Sequence, residues 1–110
     1  MIGHSMGGLV LRLAANKMKY QEHLWSYISL GTPHLGYLQG LKLIIRAGLS
    51  LFSNIYSTPC LNELSCKDTD ELHDTAIYQL SLKGRLSNFK KVILVASSHD
   101  KYVSWHSARI

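Results

Sequence analysis

Apolar residues recur in this chain first at helical steps and then in short continuous runs, and the alternation of the two sets its architecture. In "GLVLRLAANKMKY", Leu9, Val10, Leu13, Ala14 and Met18 fall three and four residues apart. Arg12, Lys17 and Lys19 supply the polar side, so the spacing predicts an amphipathic helix. "WSYISL" is a β-rich apolar run closed by Gly31, Thr32 and Pro33, and it reads as a strand. "LQGLKLIIRAGLSLF" is long and apolar, but Lys42 and Arg46 keep it short of the roughly 18–20 apolar residues of a membrane span. It reads as a buried or lid helix, weakened by Gly40 and Gly48. Residues 53–68, rich in Ser, Asn, Thr and Cys around Pro59, read as a loop. Helical spacing returns in "DTDELHDTAIYQLSLK" through Leu72, Ala76, Ile77 and Leu80, with Asp68 or Asp70 as N-cap and Gly84 as stop. "KKVILVASS" is a nearly continuous apolar strand, the pattern of a parallel sheet covered on both faces.

Helix, strand, helices and strand in that order predict an α/β fold with a parallel sheet. Only two strands lie fully inside the chain, and two strands do not make a stable covered sheet. Residues 1–110 are therefore expected to be one partial domain, with Met1 internal to a longer protein.

Composition narrows the function classes. A hydrophobic content of 46% is that of a globular domain and excludes disorder as a description. The net charge of +5 arises from 12 basic and 7 acidic residues, and five of those acids fall between Glu63 and Asp74. Basic residues are scattered without interleaved aromatics, which argues against a nucleic-acid module and leaves peripheral contact with an anionic membrane surface open. Cys60 and Cys66 fit no zinc spacing and no disulfide framework, and no secretory signal opens the chain. The expectation is an intracellular, cytoplasmic protein with free thiols, no metal and no cofactor.

The candidate chemistry lies in "MIGHSMGGLV". Gly3, Ser5 and Gly7 have the spacing G-x-S-x-G, with Gly8 a further small residue, and a helix follows. This is the pattern of a nucleophile elbow, in which a strained strand-to-helix turn presents a serine hydroxyl clear of its backbone. Gly3 and Gly7 are expected where side chains would collide with the turn. The Met6 N–H would be one oxyanion donor, and the helix dipole would favour the developing charge. The alternative is a glycine-rich helix start or phosphate cradle. Further on, Asp100 follows the strand of "VILVASSHDKYV". In that place an aspartate is either the acid that orients a catalytic histidine or a turn residue, and its occurrence after Ser5 in chain order favours the acid.

"GHSMGG", "SLGTPHLG" and "DKYVSWHSARI", taken together, resemble the lipase-like serine esterase branch of the α/β-hydrolase superfamily. The resemblance runs through essentially the whole chain. It implies a serine hydrolase cleaving carboxylic esters, lipids among them, with Ser5 as nucleophile and Asp100 as acid. It also implies that the apolar stretch 38–52 belongs to an insertion covering the substrate cleft, with 38–75 as the cap or lid. Ser104 stands where the family pattern usually has proline, whereas Gly7 and Gly8 keep the permissive form.

The base is less defined. His4 precedes the nucleophile and points away in lipase-type elbows, His34 belongs to a turn, and His23 and His73 lie on predicted helices as surface residues. His99 adjoins Asp100 and is expected to point apart from it. His106 keeps the order Ser, Asp, His but lies at a predicted helix start, capped by Ser104 or Ser107; the superfamily places its histidine after one further strand, beyond Ile110. The competing readings are a catalytically inactive hydrolase-fold scaffold and a membrane-associated module binding through residues 38–52.

Overall fold

The computed structural model describes residues 1–19, 21–37, 59–84 and 86–110. The predicted lid helix at 38–52 lies outside them. A short strand β1 (Ile2–His4) runs through Ser5 into helix α1 (Met6–Lys17), followed by strand β2 (Ser26–Leu30). Helices α2 (Pro59–Leu64) and α3 (Ala76–Lys83), strand β3 (Lys91–Val95) and helix α4 (Trp105–Arg109) complete the described chain. The three strands form one parallel sheet in the order β1-β2-β3, flanked by helices, which is an α/β fold. One strand more is present than the two expected, because Ile2–His4 pair with Ile28–Leu30.

The sheet has one covered face. Tyr27 and Ser29 of β2 point into it and are fully buried, and the Tyr27 hydroxyl donates to the Gly8 carbonyl of α1 at 2.9 Å. Leaving water pushes that phenol up to about 12. Ala15, Leu24, Tyr27 and Phe89 form one core cluster on this side, and Leu9, Leu64, Ile77 and Leu80 form a second between α1, α2 and α3. On the opposite face Ile2, Leu30, Ile93 and Val95 stay exposed. The continuous apolar run of β3 is thus not covered on both faces among the described residues, contrary to expectation.

Three local readings also change. Helix α1 buries Gly8, Leu9, Arg12 and Ala15, whereas Val10 and Leu13 stand 59% and 49% exposed. Arg12 was assigned to the polar side by its charge, yet it is among the most buried residues of the helix. Residues 59–64, expected in a loop, form α2; Pro59 is at its first position, where a missing N–H costs nothing. Helix α3 starts at Ala76 rather than near Asp70. Thr75 is its N-cap, accepting from the Tyr78 N–H, while the Asp68 carboxylate accepts from the Ala76 N–H at 2.8 Å. Gly84 ends it as predicted.

Candidate active site

The parallel ladder delivers the functional loops to one edge. Its hydrogen bonds continue past the strand ends: the Ser5 N–H donates to the Leu30 carbonyl at 2.9 Å, and the Gly31 N–H to the Val95 carbonyl at 2.9 Å. Ser5, Gly31 and the loop holding Asp100 therefore stand side by side at the carboxyl ends of β1, β2 and β3.

Ser5 has φ 51° and ψ −130°, a left-handed backbone that a residue with a Cβ adopts only under strain. The turn closes with the Gly8 N–H donating to the Ser5 carbonyl at 3.1 Å. A Cβ on Gly3 would come within 2.6 Å of the Gly8 Cα and 2.9 Å of the Gly7 carbonyl carbon, so the turn needs glycine there. The second crowded position is not Gly7, as expected, but Gly8. A Cβ on Gly7 meets nothing within 4 Å among the described residues, whereas one on Gly8 would overlap the Thr32 side chain. The reason is rotation: Gly8 faces the sheet on the buried side of α1, and Gly7 lies off that side. The Met6 N–H, first in the helix, has no intrahelical acceptor, and no backbone acceptor for it is found among the described residues.

Asp100 is both a turn residue and a presented carboxylate. Its Oδ1 accepts from the Tyr102 and Val103 N–H groups at 2.8 and 3.1 Å, which fixes the side chain. Its Oδ2 faces Gly31, where a Cβ would stand 3.1 Å away; Gly31 itself has φ 55°. The sequence reading left these two roles as alternatives, and the geometry lets each oxygen take one.

Tyr37 is the site residue that sequence reasoning missed. Burial pushes its phenol up, with Asp100 and Cys60 nearby adding to the rise and Ser5 offsetting part of it. The Tyr37 N–H donates to the Leu64 carbonyl at 2.7 Å. The sequence signal available was its place directly after the turn "GTPHLG", which returns the chain to the sheet edge.

No hydrogen bond joins His106 to Ser5 or Asp100: it is exposed on α4, its ring centroid 4.7 Å from that of Trp105. His99 is also exposed, beside the Ser98 hydroxyl, and His4 points to solvent on β1. His23 and His73 pair at the surface with Glu22 and Glu71. His34 is buried in a polar network. Arg12 Nη1 can only donate, so His34 Nδ1, 3.0 Å away, is the acceptor and Nε2 carries the proton toward Ser29 Oγ at 2.9 Å. Burial and the Arg12 charge lower this imidazole to about 4. Arg12 Nη2 reaches the Leu80 and Gly84 carbonyls at the end of α3, each at 3.4 Å, and burial lowers the guanidinium as well.

An apolar groove of about 540 Å³ adjoins the elbow at Met6 and lies between α1, α2 and α3, with Val10, Leu13, Leu64 and Ile77 among its walls. This is where the exposed apolar residues of α1 are used. Cys60 at its rim donates to the Met6 sulfur at 3.7 Å; both Cys60 and Cys66 are free thiols, raised by burial. Among the described residues there is no cluster that could hold a metal, and no helix is long and apolar enough to cross a membrane.

Comparison with known proteins agrees with this geometry. A family model described as "Putative serine esterase (DUF676)" matches residues 1–110. A stretch of 34 residues is 47% identical to GPI inositol-deacylase of Candida albicans; it takes in 31% of this chain and 9% of that protein. No solved structure gives a significant match.

Proposed function

Because this chain belongs to the putative serine esterase family, we propose that it cleaves carboxylic esters with Ser5 as the nucleophile and Asp100 as the acid. The observation that carries this reading is the backbone of Ser5. A φ of 51° on a serine is costly, about 1–3 kcal/mol, and persists only where the surroundings enforce it. Here Gly3 and Gly8 permit the turn, and the ladder bond to Leu30 fixes its height at the sheet edge.

In the reaction Ser5 Oγ bonds to the ester carbonyl carbon as its proton passes to a histidine. The carbonyl electron pair moves onto oxygen, facing the Met6 N–H, and returns as the alkoxy group leaves with the proton. Water then repeats the sequence on the acyl-enzyme. Asp100 Oδ2, the oxygen left free by the turn, is the one that steadies the imidazolium. His106 makes no hydrogen bond to Asp100, and we assign the base to another histidine that reaches Oδ2.

The groove beside Met6 supports an aliphatic acyl chain as the part of the substrate next to the carbonyl, since its walls are apolar and it borders the elbow. The deacylase relative, by its name, removes an acyl group, which favours the same class. A scaffold without catalysis has no need of the strained serine. Contact with a membrane surface and a cytoplasmic location fit a lipid-ester substrate and belong to the same proposal.

A fluorophosphonate tests the reading directly. The full-length protein is expected to be labelled covalently, with fluoride leaving as the Ser5–phosphorus bond forms, and Ser5→Ala is expected to abolish labelling. An unlabelled wild-type protein, where a reference esterase reacts, would overturn it.

A further inference from the structure

We propose that the groove beside the elbow measures its acyl chain: it takes a straight chain of about twelve carbons, with Leu13 lining its middle and Lys17 and Lys83 closing its far end. The inference rests on the serine esterase reading and deepens it from an apolar acyl group to one of set length.

Three observations carry it. First, the groove follows one side of α1 for the whole length of the helix. Met6, Leu9, Val10, Leu13, Asn16 and Lys17 line it at the three- and four-residue spacing of a single helix face. From Met6 to Lys17 the helix rises about 16 Å, the extended length of about twelve chain carbons.

Second, α1 and α3 run side by side in the same sense, which gives the groove a start and an end. Leu9 packs with Ile77 and Leu80, and one turn further on Arg12 Nη2 reaches the Leu80 and Gly84 carbonyls. The elbow and Met6 therefore stand at one end. The last turns of both helices, with Lys17 and Lys83, stand at the other.

Third, polarity changes along that path. Between the ends the walls are Leu9, Val10, Leu13, Leu64, Ile77 and Leu80, and Val10 and Leu13 expose there the apolar surface that α1 does not bury in the core. Among the described residues Glu63 of α2 is the one charged wall residue besides the two lysines. Carbons gain from leaving water along the apolar stretch. At its far end they would instead displace the hydration of two ammonium groups and the Asn16 amide. A chain thus gains with each carbon until it reaches Lys17 and Lys83, and gains nothing beyond. Leu13, about 10 Å along the helix axis from Met6, decides how much of that length is open.

The test measures kcat/KM of the full-length protein on p-nitrophenyl esters from butyrate to stearate in one detergent dispersion. Wild type is expected to gain about twofold per methylene, since a groove removes water from only part of each carbon, and to stop gaining near laurate. Leu13→Trp fills the middle of the groove. It is expected to lower the laurate-to-butyrate ratio of kcat/KM at least about tenfold and to move the break to about eight carbons. Should that variant lose its thermal transition, Lys17→Leu combined with Lys83→Leu makes the far end apolar and is expected to move the break to longer esters. A wild-type profile with no break between butyrate and stearate overturns this inference and leaves the esterase reading standing. So does a break that stays in place in the folded variants, the result expected if the groove seats a polypeptide. A protein that neither hydrolyses the butyrate ester nor is labelled by a fluorophosphonate overturns both.

Discussion

Ser5 and Ser29 differ in the ways that decide whether a hydroxyl can react. Ser29 has what a nucleophile is usually recognised by, a histidine nitrogen 2.9 Å from its Oγ, held by a third residue. Yet that third residue is Arg12, a cation, where a catalytic histidine needs a carboxylate to stabilise its charged form. With its imidazole near 4 and the serine wholly buried, the pair neither accepts a proton at neutral pH nor meets a substrate. Among the described residues no histidine is hydrogen-bonded to the Ser5 side chain. Ser5 has instead a strained turn at the sheet edge, an oriented carboxylate across the neighbouring strand and an apolar groove at its flank. Proximity to histidine is therefore a poor guide; the sign of the orienting charge and access from solvent are better ones.

The sharpest way to break this contrast is at the glycines. Gly3→Ala forces a Cβ into the backbone of Gly8, which cannot yield, so loss of labelling and at least about 3 kcal/mol of stability are expected. Gly7→Ala meets nothing and is a better helix former, so labelling within about threefold of wild type is expected. Equal damage from both substitutions, read by labelling and denaturant unfolding, would remove the elbow from the explanation.

The buried network should reveal itself through pH. His34 titrates near 4 when folded and near its ordinary 6.5 when unfolded. Above about 6.5 it is neutral in both states and costs nothing; as pH falls toward 4 the unfolded chain binds the proton first and stability drops. One proton over that window corresponds to about 3 kcal/mol at most. His34→Asn is expected to flatten that part of the profile, and an unchanged slope in urea titrations would contradict the assignment of a neutral imidazole.

The smallest effect is expected at Ser29. Ser29→Ala leaves the buried His34 Nε2–H without its acceptor, at about 1–2 kcal/mol, while fluorophosphonate labelling stays at the wild-type rate. A labelling loss there would exchange the roles given to the two serines.

Much of this site could be read from one dimension because elbow chemistry is local. The G-x-S-x-G spacing, the helix after it and the aspartate after an apolar strand each depend on residues within a few positions of one another, and β2, β3 and α1 appear within a few residues of where periodicity puts them. The misreading of α1 has one cause. Arg12 looked like a surface residue, and Val10 and Leu13 looked like core, because residue type was taken to decide which side of α1 faces inward. The packing instead turned Arg12 onto the carbonyls ending α3 and the imidazole of His34. The short β1 was overlooked because three residues carry too little pattern, and only pairing with Ile28–Leu30 makes them a strand.

By itself the sequence determined the alternation of helix and strand, the glycines that let a serine occupy a left-handed turn, and the chain order of serine and aspartate. These follow from steric and periodic rules that act over a few residues. Only the tertiary structure decided which glycine is crowded, which oxygen of Asp100 is held by the turn, and that the serine bonded to His34 is sealed in the core. Each of those depends on which distant segments the parallel register sets side by side, and local spacing carries no information about that.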